Sequence, residues 1–273
     1  MDDHRQQRAV LLHGFPGTGK STLAKRIALT GAWVIVDKDD AKQGLLEARG
    51  EYEQLIPDLW ADKVSKALAD ALRLIRGESM HESDRPDALD KITTIEKRLA
   101  TEVVGPTLAE WCTERKEEAT YKNQVSDGDV NELSYVIMIA VTRYVLRMPG
   151  AYNVIIDSPL CRSDVFDSLM AVTSKSNCKT VVVYCVCSDE RLWDARLRAR
   201  VDQQSGTNLV EKPSSLAAVR EIYDERRVKE ITGVLRDTMQ SLVDAGTIDS
   251  IVQVDTAAED LEKEFAELTL QLD

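Results

Sequence analysis

The sequence predicts an α/β protein built on a doubly wound parallel sheet, and three observations lead there. Outside one long stretch, short apolar runs alternate with segments of helical spacing. The run Trp33-Val34-Ile35-Val36 is apolar without alternation, the pattern of a strand covered on both faces. The first strand is joined to the first helix by a glycine-rich loop, Gly14-Phe15-Pro16-Gly17-Thr18-Gly19-Lys20-Ser21-Thr22.

The first strand covers about 8–13, and the first helix covers about 21–29 and is closed by Thr30-Gly31. The second strand stops at Asp37-Lys38-Asp39-Asp40. From about 44 to 130 the pattern is helical throughout. Leu55, Trp60, Val64, Leu68, Leu72 and Ile75 make one apolar stripe, and Ile92, Ile95, Leu99 and Val103 begin a second. Gly105-Pro106 predicts a kink or stop ahead of Leu108, Trp111 and Cys112. This stretch holds 12 basic and 19 acidic residues, more than half of the net charge of −12, and reads as a helical insertion.

The core resumes with a helix over about 130–148, closed by Pro149-Gly150. A strand over 153–156 ends at Asp157, and a helix near 163–173 leads to a strand over 180–185. The next helix begins near Ser188 and carries Arg191, Arg196, Arg198 and Arg200. Residues 203–213 have the polar, glycine-containing profile of a mobile loop, and 214–245 an amphipathic helical one. A strand over 249–254, the turn Asp255-Thr256 and a helix to about Leu270 complete the chain.

The loop matches the phosphate-binding pattern G-x-x-x-x-G-K-[ST] at every fixed position, in the strand–loop–helix context that the pattern requires. Glycines let the backbone curl so that successive N–H groups of the Pro16–Thr22 stretch converge on phosphate oxygens. The positive end of the following helix adds to that field. Lys20 is expected to reach the terminal phosphates and the Ser21 hydroxyl to ligate Mg²⁺. A nucleoside triphosphate is the expected ligand.

In open parallel sheets ligands bind outside the carboxyl ends of the strands. Asp37 and Asp39 stand at such an end. Strand alternation would turn both to one side and Lys38 to the other. One could orient Mg²⁺ while the other accepts a proton from a hydroxyl; the competing reading is an acidic turn that caps the next helix, which also explains Asp40. Asp157 closes an apolar strand as a magnesium-holding acid does. Ser158 follows it, so the second acid of a water-activating pair is missing, and no Asn-Lys-x-Asp guanine motif occurs. Both absences favour transfer over hydrolysis. Arg196 and Arg200 share a helix face, with Trp193 placed to pack beneath, and could neutralise a moving phosphoryl group from a closing lid or form a solvated basic face. Arg162 and Lys212 are weaker candidates for substrate contact.

Composition narrows the classes. Hydrophobic residues at 43% and charged residues at 30% describe a globular chain, and no apolar run approaches the roughly 20 residues of a membrane span. The residues after Met1 form no apolar signal core, and the five cysteines include no CxxC pair, so a reduced, cytoplasmic setting is expected. His4, His13 and His81 share no metal-ligand spacing. The acidic balance and the lack of a basic block disfavour a nucleic-acid partner.

Together, GFPGTGKSTLAKRIA, VIVDKDD, VIIDSPL, CSDERLWDARLRAR and VQVDT resemble the small P-loop kinases that phosphorylate hydroxyls. That group includes polynucleotide kinase domains, chloramphenicol phosphotransferase, zeta toxin, gluconate kinase and shikimate kinase. The resemblance implies a P-loop NTPase three-layer sandwich with a five-stranded parallel sheet in the order 2-3-1-4-5. The core would be 1–43 and 131–273, with a lid near 196–213 and the 44–130 insertion after strand two. It implies ATP and Mg²⁺, with Asp39 as the base, Asp37 helping to hold magnesium waters, Arg196 and Arg200 as lid arginines, and Asp255-Thr256 near the adenine. Asp39, Asp40 and Arg162 would then border a small-molecule hydroxyl acceptor, and the insertion could also mediate a homodimer. Two rivals remain open: a 5′-hydroxyl polynucleotide kinase, and a nucleotide-dependent switch with the insertion as a partner-binding arm.

Overall fold

The computed structural model describes residues 6–51, 57–77, 97–117, 125–148, 152–159, 162–203, 212–222, 240–241, 243–246 and 248–272. Its strands are β1 (Arg8–His13), β2 (Trp33–Asp37), β3 (Asn153–Asp157), β4 (Lys179–Val186) and β5 (Ser250–Asp255). Its α-helices are α1 (Lys20–Ala28), α2 (Lys38–Glu51), α3 (Pro57–Gly77), α4 (Gly105–Glu117), α5 (Asp127–Arg147), α6 (Ser163–Lys175), α7 (Glu190–Gln203), α8 (Leu216–Ile222) and α9 (Leu261–Leu272). Leu55, Ile92, Ile95, Cys161, Pro149-Gly150, the loop 204–211 and residues 223–239 of the amphipathic stretch lie outside the described residues.

The five strands form one sheet in the order β2-β3-β1-β4-β5, as the resemblance implied. β1 pairs in parallel with β3 and β4, and β4 with β5. Ala9 to Leu12, Val154 to Ile156 and Val181 to Val183 are fully buried, which is why these segments read as unbroken apolar runs. Each valine, leucine or isoleucine among them contributes roughly 1.5–3 kcal/mol on leaving water.

The chain divides into two compact units, 1–33 with 146–273, and 34–145. The second is wider than the 44–130 stretch, because α2 begins directly after β2 and α5 belongs with the helices before it. In this unit α2 and α3 approach closely at Gly44, where a Cβ would lie 2.6 Å from the Val64 Cα. Gly44→Ala is therefore expected to destabilise the unit by about 1–2 kcal/mol, overpacking outweighing the better helix propensity of alanine. A thermal midpoint at or above that of the native chain would show that the helices can part at no cost.

At Gly105-Pro106 the chain does not stop. A π-helical turn, Leu99–Val104, runs straight into α4, and the Gly105 N–H bonds the Ala100 carbonyl five residues back. A proline ring would collide with the preceding turn of a continuous α-helix, and the wider π turn gives Pro106 room.

Candidate functional site

The loop after β1 turns on three glycines with positive φ: Gly14 (147°), Gly17 (84°) and Gly19 (87°). Its folding is local, with Thr18 donating from both N–H and Oγ1 to the Phe15 carbonyl, at 3.3 and 2.8 Å. Lys20 is buried, and its Nζ donates to the Gly14 and Phe15 carbonyls at 2.8 and 3.0 Å. Ser21 and Thr22, in the first turn of α1, are exposed.

Two other elements grip this loop. From α7, the Trp193 indole donates to the Pro16 carbonyl at 2.8 Å and its ring stacks on Phe15. A Cβ on Gly17 would lie 2.8 Å from both Trp193 Nε1 and Leu197 Cδ2, so this position has neither the space nor the backbone angle for another residue. After β5, the buried Thr256 donates through Oγ1 to the Thr18 carbonyl at 2.9 Å. Arg196 in turn holds Thr256, with Nη1 on Oγ1 at 2.8 Å and Nη2 on the backbone carbonyl at 2.9 Å. Arg196 and Arg200 thus share a helix face but not a task. Arg196 spends its donors on the Thr256 turn, whereas Arg200 bonds none of the described residues. Both line a cavity of about 380 Å³ with Gly17, Gly19, Thr22, Arg26 and Thr256. Arg26 is itself paired with Glu262 at 2.6 Å and lies over the Phe265 ring.

Asp255 joins the ends of β4 and β5, its Oδ1 accepting the Ser188 and Ala257 N–H groups at 3.1 and 3.0 Å. Burial pushes its carboxyl up, but these bonds and the nearby Arg196 bring it below the usual range. Arg162 precedes α6 and clasps Asp164 with two bonds, of 3.1 and 2.5 Å; that bond holds the Asp164 carboxyl below its ordinary value.

At the end of β3, Asp157 and Ser158 are buried, and Asp157 Oδ2 and Ser158 Oγ have no hydrogen-bond partner among the described residues. A buried carboxylate oxygen without a donor is costly unless a cation or its waters complete it. No cluster of three or more His, Cys, Asp or Glu exists among the described residues to hold a metal alone. Mg²⁺ keeps waters and takes few protein oxygens beside substrate phosphates. Asp157 and the exposed Ser21 hydroxyl fit that role.

One residue beside the loop is passed over by the sequence reading. His13, the last residue of β1, is 4% exposed; its Nδ1 lies 2.6 Å from the Pro159 carbonyl and its ring stacks on Tyr184 at 5.1 Å. Burial, helped by the Lys20 charge and opposed by the Pro159 bond, lowers its pKa to about 4. A histidine ending an apolar strand just before the phosphate loop was the available signal. The unfolded chain takes up this proton below about 6.5 and the folded chain only below about 4, so stability falls as pH drops through that window. Between pH 7 and 5 the loss is about 2 kcal/mol. Urea midpoints at both values should differ less in His13→Phe; an equal difference would assign the loss elsewhere.

In the other unit, strand alternation does not govern the acidic turn, because the helix starts at Lys38. Asp37 Oδ1 accepts the Asp39 N–H at 2.8 Å, as a helix-capping carboxylate does. Lys38 is buried, with Nζ 3.2 Å from Asn131 Oδ1, 3.6 Å from Asp39 Oδ1 and 4.9 Å from the Tyr135 ring centroid. Burial lowers its pKa against the pull of Asp39 and Asp37. Asp39 and Asp40 occupy the first turn of α2. Among the described residues no helix is long and apolar enough to cross a membrane.

No curated protein matches the chain. A solved structure from Chloroflexus aurantiacus J-10-fl, described as a “putative kinase”, is similar at 13% identity and a TM-score of 0.46, over 98% of this chain and 97% of that one. Residues 10–222, over three quarters of the chain, match the family AAA_33, an AAA domain. With the phosphate loop inside that match and the sheet in the order 2-3-1-4-5, the chain belongs to the AAA_33 family and is built as a P-loop nucleotide-binding protein.

Proposed function

We propose that this protein is an ATP- and Mg²⁺-dependent phosphotransferase that moves the γ-phosphate of ATP to a hydroxyl of a small molecule. The observation that supports it most is the end of β3: Asp157 has a buried oxygen without a donor among the described residues, and Ser158 stands where a water-activating acid would be. With no base for water beside the metal-holding acid, hydrolysis is disfavoured and the phosphoryl group waits for another acceptor.

In this reading the loop N–H groups hold the β- and γ-phosphates, and the Lys20 ammonium exchanges the Gly14 and Phe15 carbonyls for phosphate oxygens. Ser21 and Asp157 would hold Mg²⁺, which would offset the negative charge of the phosphates. Asp39, two residues beyond the carboxyl end of β2, takes the acceptor's hydroxyl proton as the new O–P bond forms and the bond from the γ-phosphorus to the bridging oxygen breaks, releasing ADP. Arg200, with no partner among the described residues, neutralises charge on the transferring group.

The test is ADP release from ATP and Mg²⁺ across a panel of hydroxylated metabolites, nucleosides and antibiotics. Release that depends on one acceptor, with its phosphate ester as product, is expected. Equal release without any acceptor would replace this reading with a nucleotide-driven switch. Activity confined to 5′-hydroxyl oligonucleotides, and steeply lost with salt, would replace it with a polynucleotide kinase.

A further inference from the structure

A histidine is an expensive way to finish β1. Its neighbours Ala9 to Leu12 are all fully buried and apolar, and His13 itself is 4% exposed. An apolar side chain would fill the same space without the cost of desolvating two ring nitrogens. What the histidine adds is one directed bond. A carbonyl can only accept, so at 2.6 Å the Nδ1 carries the proton and donates it to Pro159 O.

The place of that bond matters. Along the β1–β3 ladder Leu12 stands opposite Asp157, and His13 is the next residue. Beyond this pair β3 leaves the sheet, and Pro159, which has no N–H, cannot donate to a ladder. The segment Asp157-Ser158-Pro159 therefore gains from a side chain what the sheet no longer supplies. The anchor is itself braced, because Tyr184 of β4 lies opposite His13 in register and stacks on its ring. Two residues from the anchored carbonyl sits the one carboxylate oxygen that is buried without a donor among the described residues.

We propose that His13 is a positioning residue: its bond to Pro159 fixes the turn after β3 and so aims the Asp157 carboxylate. The inference rests on the assignment of Asp157 to Mg²⁺. Partners that orient a metal-holding group typically change metal affinity about 10–100-fold when removed.

The experiment measures the thermal midpoint of the protein with a non-hydrolysable ATP analogue while Mg²⁺ is titrated, and the analogue's affinity in EDTA. His13→Phe keeps a ring against Tyr184 and loses the donor. It should need about ten-fold more Mg²⁺ for half its stabilisation, with analogue affinity in EDTA within about two-fold of native. His13→Asn places an amide N–H near the position of Nδ1 and should stay within about three-fold of the native Mg²⁺ midpoint. If His13→Phe titrates like the native protein, or His13→Asn is displaced as far as His13→Phe, the proposal is overturned. A native protein whose midpoint ignores Mg²⁺ would instead refute the metal assignment, and the positioning role with it. Should His13→Phe fail to fold, His13→Gln, whose donor sits one methylene too far, takes its place with the same expected loss.

Discussion

Asp39→Asn is expected to lower phosphoryl transfer about 10³-fold while ATP binding stays within about two-fold. Asparagine fills the same volume but cannot take up the acceptor's proton. The nucleotide contacts proposed for Lys20 and Ser21 need no proton acceptor, so they should not sense the change. One side effect is built in. Lys38 is a buried cation with Asp39 Oδ1 at 3.6 Å, and losing that charge leaves it leaning on Asp37 and Asn131. A modest fall in thermal midpoint should accompany the lost rate, so kinetics belong well below the transition. Transfer at the native rate would move the base to another residue. Failure to bind ATP would mean that Asp39 acts on the donor side.

The two arginines of α7, Arg196 and Arg200, should separate as sharply. Arg196→Ala removes both bonds to Thr256, which itself holds the Thr18 carbonyl. The phosphate loop then loses its outer brace. Stability should fall by about 1–2 kcal/mol and ATP affinity about ten-fold. Arg200→Ala breaks no bond to a described residue, so stability should change by less than about 0.5 kcal/mol. Its cost should appear in kcat, about 10²-fold or more, since arginines on a transferring phosphoryl group act in the transition state. Equilibrium unfolding, nucleotide titration and steady-state kinetics on the pair decide it. An Arg200→Ala enzyme with native kcat would remove that residue from the chemistry, and an Arg196→Ala protein of native stability and affinity would show the brace to be idle.

Much of the architecture could be read because its signals are local. A phosphate loop is nine consecutive residues whose backbone angles demand glycine, and parallel strands buried on both faces must be apolar along their length. Boundaries came within a few residues for the same reason. The acidic turn was harder. Alternation was extended through Asp37-Lys38-Asp39, but helix α2 begins at Lys38, and the capping bond from Asp39 N–H to Asp37 decides the geometry there. Gly105-Pro106 read as a break because sequence rules treat proline in a continuous α-helix, and a π turn relaxes that rule.

The sequence by itself determined the strand–loop–helix core, the phosphate loop and the acids at the strand ends. Each follows from neighbours in the chain and from the periodicity of one element. Only the tertiary structure decided what grips that core. Trp193 on Pro16, Arg196 on Thr256 and Thr256 on Thr18, and His13 on Pro159 join residues 60 to 238 positions apart. Hydrogen bonds over such spans leave no periodic trace, because their partners meet only when the sheet order sets strands and loops side by side.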